Sequence, residues 1–332
     1  MRTVLVTGGA GFIGSHLVDQ LLEGGAAVRV LDNFSTGSLA NLHAAAKRHS
    51  RNGGSRLEVI IGDVRDRELL RKALRNVKYV FHLAALPASS VSIIDSGDVH
   101  TVNVEGTLNV LHGALTEGVW RVVVASCASV YGTPATVPVP EDASVRPVTL
   151  FAASKVAAET YCRAFHARHQ LDTVILRYFT VYGTRQPAAP GGALAPRLIE
   201  AVRQRRPFLE EDERNGADLV AVDDAVAATL AAARAPRVAG RVINVGSGQM
   251  VTIGDALAIV AGLLQTPVTA ADGPRTEEAA PYRICADTAL ARELLDFTPK
   301  VSLVAGLARM VRSLTGTEEL ERTAFAPAGR GD

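Results

Sequence analysis

The sequence predicts an α/β fold, a doubly wound parallel sheet with a smaller C-terminal domain. Three observations carry this. Short, β-branched apolar runs at residues 3–7, 28–31, 57–61, 79–83, 121–126 and 173–177 alternate with amphipathic segments of helical length, the pattern of a parallel sheet covered on both faces. The first run leads directly into Gly8-Gly9-Ala10-Gly11-Phe12-Ile13-Gly14, a strand–turn–helix rich in glycine. Beyond Gly183 the alternation stops: residues 186–192 form a Pro/Gly-rich loop, and helices dominate afterwards. The expected organisation is a first domain over residues 1–185, completed by a strand returning to the sheet near 241–246. A smaller substrate domain over 186–322 and a disordered tail over 323–332 follow.

The glycine turn points to the ligand of the first domain. Gly8, Gly11 and Gly14 stand three residues apart. Their missing side chains allow a tight turn, a close approach of backbone to a pyrophosphate, and close packing of helix on strand. The unpaired N–H groups of Phe12 and Ile13, at the helix N-terminus, then face the phosphates. The second strand ends in Asp32, 18 residues after Gly14, near the ~20 at which a carboxylate grips the adenosine ribose hydroxyls. Asp32 would repel a 2′-phosphate, and Asn33-Phe34 brings no arginine beside it. The dinucleotide is therefore NAD rather than NADP.

The remaining segments follow in order. Residues 35–54 are polar and loop-like around a short helical piece at 39–49. The third strand ends in Gly62-Asp63-Val64, where Asp63 either accepts a hydrogen bond from the adenine amino group or caps a helix over 65–74. The fourth strand ends in Leu83-Ala84-Ala85, small enough at its tip for a cofactor to pass closely. A long amphipathic helix is expected over 99–118, with Asn103 and Thr107 one turn apart.

Composition narrows the function classes. With 48% hydrophobic and 21% charged residues the chain is an ordinary globular one, and a formal charge of +1 gives no electrostatic reason to expect nucleic acid or a membrane surface. Cys127, Cys162 and Cys285 form no CxxC; neither a disulfide framework nor a metal site is expected, and a reducing cytoplasm fits. No apolar run reaches the ~18 residues of a membrane span, and the chain enters its first strand without a signal-like segment.

A second constellation carries the chemistry: Ser126-Cys127-Ala128-Ser129-Val130-Tyr131-Gly132 at the end of the fifth strand, and Phe151-Ala152-Ala153-Ser154-Lys155 opening a helix. With these motifs, residues 4–314 resemble the extended short-chain dehydrogenase/reductase superfamily, which has a Rossmann fold, and within it the nucleotide-sugar epimerases and dehydratases. The resemblance implies that Gly8, Gly11, Phe12, Ile13, Gly14, Asp32, Asn33, Asp63, Val64, Leu83, Ala84, Ala85, Asn103, Lys155 and Tyr178 bind NAD. It assigns Ser126, Ser129, Thr180, Arg185 and Arg275 to the nucleotide-sugar substrate, and implies a homodimer through helices 99–118 and 151–169.

In similar proteins a tyrosine and a lysine four residues later share one helix face. The lysine holds the nicotinamide ribose and lowers the tyrosine pKa; the phenolate takes a sugar hydroxyl proton while hydride moves to NAD. A Ser or Thr at the end of strand five polarises the same oxygen. This chain has Lys155, but Phe151 at the tyrosine position and Cys127 at the serine position. Three readings of Phe151 stay open: a natural tyrosine replaced to trap substrate, a different base in Cys127 or Tyr131, or a protein that binds NAD and ligand without turnover. Cys127 is equally read as a plain buried thiol.

The neighbouring residues refine the substrate. The 4,6-dehydratases carry an Asp-Glu pair where this chain has Ala128 and Ser129. Thr180 followed by Val-Tyr-Gly, with Arg185 beyond, resembles the UDP-glucuronate 4-epimerases, whose arginine can clamp the sugar carboxylate; a solvated loop arginine is the alternative. Ala217 stands where relatives place a diphosphate-binding arginine, after four acidic residues at 210–213. Arg275 matches a second phosphate-binding arginine, and Arg214 is a candidate replacement for the first. The expected activity is NAD-dependent 4-epimerisation of a UDP-hexuronate or UDP-hexose through a transient 4-keto intermediate. The alternatives are UDP-glucuronate decarboxylation or another dehydratase reaction, and, from a different class, a catalytically silent NAD/ligand-binding protein.

Overall fold

The computed structural model describes residues 3–51, 54–86, 96–188, 192–208, 214–268 and 282–315. β1 (Thr3–Thr7) turns through the glycines into α1 (Phe12–Glu23), and β2 (Ala27–Asp32) leads to α2 (Ala40–His49). A small hairpin, β3 (Ser50–Arg51) and β4 (Gly54–Ser55), precedes β5 (Leu57–Ile61), and α3 (Arg67–Leu74) leads to β6 (Val77–His82). Then come α4 (Ser96–His100), a π-turn (Thr101–Glu105), α5 (Gly106–Thr116) and β7 (Arg121–Cys127), which ends in a 3₁₀ turn (Ala128–Tyr131). α6 (Leu150–His169) leads to β8 (Asp172–Tyr178), followed by β9 (Thr180–Tyr182), α7 (Leu194–Arg203), β10 (Gly216–Ala221), α8 (Val222–Arg234) and β11 (Val242–Val245). The chain closes with β12 (Met250–Thr252), α9 (Ile253–Leu264), β13 (Arg283–Ile284), α10 (Ala289–Leu295) and α11 (Leu303–Thr315).

Among the described residues, seven parallel strands pair in the order β11-β8-β7-β6-β1-β2-β5. The sequence of connections reverses between β1 and β6, so a crevice opens beyond their carboxyl ends, where ligands bind in such sheets. Alternation along β1 sorts its side chains: Val4 and Val6 face the α1 and α8 side with Leu17 and Val226, while Leu5 faces the other with Leu74, Val110 and Phe165. The strand expected near 241–246 is β11, parallel to β8 at the sheet edge. A third apolar cluster joins α7, α9 and α11 beside β9 and β10.

Two sequence expectations are corrected. The helix expected over 65–74 starts at Arg67, because Asp66 and not Asp63 caps it, accepting from Leu69 N at 3.0 Å. The helix expected over 99–118 runs from Ser96 to Thr116 and contains a π-turn that carries Asn103. The expectations for residues 210–213, Arg275 and the tail at 323–332 lie outside the described residues. Among the described residues no helix is long and apolar enough to cross a membrane, and no cluster of three His, Cys, Asp or Glu could hold a metal ion.

Candidate active site

The crevice at the carboxyl ends of the strands is a cleft of about 720 Å³, running from Asp32 and Asp63 at one end to Cys127, Phe151 and Lys155 at the other. Its floor is the glycine turn. Gly8 has φ +70°, and a Cβ there would stand 2.7 Å from Ala84 N; one on Gly14 would run into the Gly8 carbonyl oxygen. Only glycine lets the turn lie against the end of β6 and under α1. Gly11 caps α1 with no side-chain bond, so the first N–H groups of the helix remain available to an anion. Asp32 is buried and accepts from Ala10 N at 2.9 Å and Phe34 N at 2.8 Å, one bond on each oxygen. Each oxygen keeps a lone pair for the ribose hydroxyls. Asp63 accepts from Asn33 Nδ2 and Arg65 Nη2, both at 2.9 Å, and the Arg65 bond holds its carboxyl below the usual range. Val64, Leu83, Ala84 and Ala85 line the wall between the two ends. This combination of glycine cradle, open helix terminus and ribose carboxylate fits NAD.

The opposite end is built by β7 and α6. Thr149 caps α6 by accepting from Ala152 N at 3.1 Å, which sets Phe151 in the first turn and Lys155 one turn on, both in the cleft wall. Lys155 is nearly fully buried and donates from Nζ to Ala125 O at 2.9 Å. Its ammonium stands 5.6 Å from the Phe151 ring centroid, within cation–π reach. Burial pushes the Lys155 amine down from its ordinary pKa. The Cys127 thiol lines the same end, 2.7 Å from Ser129 Oγ, and burial pushes it up. Cys127 is a neutral thiol at neutral pH.

Behind this surface lies a buried frame. Glu159, one turn after Lys155, accepts from Ser126 Oγ at 2.5 Å and from Arg177 through Nε at 3.0 Å and Nη2 at 2.7 Å. The bidentate pair ties α6 to the ends of β7 and β8. On the other side, His82 bridges Thr7 Oγ1 at 2.7 Å and Thr107 Oγ1 at 2.9 Å. Burial pushes His82 down to about 3, so it is neutral. Glu159 and His82 were missed from the sequence. The only signals were an acid one helical turn beyond Lys155 and a polar residue inside an apolar strand.

Several expected site residues face elsewhere. Asn103 does not line the cleft: its carboxamide accepts from Leu86 N at 2.8 Å and donates to Ser154 Oγ at 3.0 Å, stapling the chain after β6 to α6. Ser126 lines the cleft, but its hydroxyl is spent on Glu159. Ser129 sits behind Cys127, outside the lining, and Thr180 lies between the lining residues Phe179 and Val181 without joining them. Tyr178 offers the cleft its backbone, since its phenol bonds Thr229 Oγ1 at 2.6 Å. Tyr131 is excluded as a base. It is fully buried, donates to Asn244 Oδ1 at 2.7 Å, and has the Arg177 guanidinium over its ring at 4.7 Å. Arg185 lines the cleft, yet it is no solvated loop residue: its Nη2 pairs with Asp19 Oδ2 of α1 at 2.7 Å, and Nη1 is buried with no hydrogen-bond partner among the described residues. Arg214 is not among the lining residues.

The family model described as the NAD dependent epimerase/dehydratase family matches residues 4–246. The chain belongs to that family. NAD is its cofactor. This epimerase/dehydratase chain is 36% identical to a UDP-glucose 4-epimerase from Mycolicibacterium smegmatis over 315 residues, 94% of this chain and 97% of the relative. It is 32% identical to UDP-glucuronic acid decarboxylase 1 of Arabidopsis thaliana, over 93% of this chain and 68% of that protein. Among solved structures, UDP-glucuronic acid 4-epimerase from Bacillus cereus, in complex with UDP-glucuronic acid and NAD, superposes with a TM-score of 0.84 at 29% identity, covering 95% of this chain and 99% of that one. Family members thus divide between epimerases and decarboxylases of nucleotide sugars, and this family member is an NAD-dependent enzyme of that group.

Proposed function

We propose that the protein is a 4-epimerase of a UDP-hexose. The observation that carries this reading is the convergence of Lys155, Phe151 and Cys127 at the far end of a cleft whose near end fits NAD. Bound NAD would accept the C4 hydrogen as hydride and return it to the other face of the rotated 4-keto sugar. Asp32 would hold the adenosine ribose, the turn at Phe12-Ile13 the pyrophosphate, and Lys155 the nicotinamide ribose. Phe151, its ring centroid 5.6 Å from Lys155 Nζ, would orient the sugar ring and exclude water, but it cannot move a proton.

A hexose is favoured by the similarity to a UDP-glucose 4-epimerase, 36% identical over 94% of this chain. Arg185 Nη2 is anchored to Asp19 while its buried Nη1 has no partner among the described residues, so the fork keeps donors for a polar group of the substrate. Phe151 favours the second reading, a protein that binds NAD and ligand silently. A homodimer would cover the exposed apolar groups Leu115 of α5 and Leu150 and Tyr161 of α6.

The test is mass spectrometry of denatured protein for NAD, followed by incubation with UDP-glucose and UDP-glucuronate separately. C4-inverted product from UDP-glucose, and none from UDP-glucuronate, is the expected result. A pentose product from UDP-glucuronate would replace epimerisation with decarboxylation, and bound NAD with no product from either sugar would leave the silent reading.

A further inference from the structure

Three groups at the catalytic end could take the sugar proton, and the structure removes two. Tyr131 is sealed behind Arg177, bonded to Asn244. Cys127 is held as a neutral thiol by its burial and bonds Ser129. We propose that in this chain the Lys155 amine itself takes the proton of the sugar C4 hydroxyl. The inference rests on the epimerase reading above and names the base that Phe151 cannot be.

The geometry suits a neutral amine. One N–H of Lys155 serves the Ala125 carbonyl, and in the –NH₂ form a lone pair remains for a hydroxyl in the cleft. Among the described residues, burial outweighs the groups around Nζ that favour the ammonium, Glu159 among them. From β6 it meets His82, which is neutral; from its own helix, Cys162, pushed up to about 12 by burial, and Glu159, whose oxygens are taken by Arg177 and Ser126; from β7, Cys127. Across the Phe151 ring there is no phenolate to pair with, whereas a tyrosine there would supply one. Burial and the positive nicotinamide ring of bound NAD would both disfavour the ammonium. Thus the Phe151 position changes the task of Lys155: without a phenolate across from it, the group that would stabilise one becomes the acceptor.

The step balances. The C4–H bond breaks with its electron pair passing to NAD, the hydroxyl O–H bond breaks with its proton passing to Nζ, and C4=O forms. Return on the other face reverses both transfers.

The test is single-turnover NADH formation from UDP-glucose by NAD-loaded protein, in five chains: wild type, Lys155→Arg, Phe151→Tyr, the double variant of these two, and Cys127→Ala. Arginine keeps the charge but does not give up its proton. Lys155→Arg should cut the wild-type rate by about 10²–10⁴-fold, the span of a lost general base, and cut the Phe151→Tyr rate by much less, because the phenol then serves. The wild-type rate should rise with pH as one group deprotonates. NAD retention and UDP-glucose binding are followed in every chain. Equal losses from Lys155→Arg in both backgrounds would reduce Lys155 to a cofactor-holding residue and overturn the proposal, as would loss of the wild-type rate in Cys127→Ala with Lys155→Arg active. If wild type binds NAD and sugar but only Phe151→Tyr forms NADH, the proposal fails and the epimerase reading stands. If the protein binds no NAD or no UDP-glucose, both fail.

Discussion

Phe151→Tyr is the most informative single substitution, and its effect can be worked from one distance. The Phe151 ring centroid stands 5.6 Å from Lys155 Nζ. Two unit charges at that separation, at an effective dielectric constant of about 20, attract by about 3 kcal/mol, or roughly two pKa units. A phenol whose ordinary pKa is about 10 would fall to about 8 beside the lysine, so that about half of it is ionised at pH 8 instead of about 1%. The same attraction restores the charge on Lys155, because a phenolate raises the proton affinity of an ammonium neighbour. Turnover should therefore rise by about 10²-fold or more, with the pH midpoint set by the phenol. The assay is the rate of C4-inverted product from UDP-glucose between about pH 6 and 10, the range that brackets both groups, with NAD occupancy checked by mass spectrometry. If the variant holds NAD and sugar as the parent does and gains no rate, the alignment of Phe151 with the reacting hydroxyl is wrong.

Other substitutions probe the frame. Arg185→Ala should lower stability by about 1 kcal/mol through loss of the half-buried Asp19 pair, and should change UDP-glucose and UDP-glucuronate affinities by the same factor in calorimetry; a selective loss for the uronate would restore the carboxylate clamp. His82 is neutral in the fold, with a pKa of about 3 against an ordinary value near 6.5. Between those values the unfolded chain binds a proton that the folded chain refuses, so this contribution is complete above about pH 6.5 and is lost as pH falls, by about 1.4 kcal/mol per unit. Urea unfolding at several pH values should show a shallower acid decline in His82→Asn than in wild type; identical slopes would mean that His82 is not the titrating group. Tyr131→Phe gives up the bond to Asn244 and should cost about 0.5–1.5 kcal/mol while leaving epimerisation unchanged; loss of turnover in a folded variant would put Tyr131 back among the catalytic groups.

The parts of the site that the sequence made legible are those written in contiguous residues. The glycine spacing and the acid at Asp32 lie within one strand–helix–strand unit, whose geometry follows from local backbone rules, and the structure sets both in the cleft. Phe151 and Lys155 share a helix face because helical spacing is itself local. What the sequence does not show is a partner distant along the chain. Asn103 was placed near the cofactor on a regular helix, but a π-turn rotates it onto Leu86 and Ser154. Ser126 looked free at a strand end until Glu159, 33 positions on, took its hydroxyl.

The sequence alone therefore determined the alternation that builds the sheet, the glycine turn and carboxylate that suit NAD, and the replacement of tyrosine by Phe151. Each depends on spacing along the chain and on the chemistry of the side chain itself. Tertiary structure decided which polar groups are still available to react. It tied Arg185 to Asp19, set Arg177 over Tyr131, kept the Cys127 thiol neutral, and left Lys155 buried, donating to the Ala125 carbonyl. Availability depends on burial and on partners brought together from distant segments, because desolvation and pairing, more than residue identity, set whether a group holds or releases its proton.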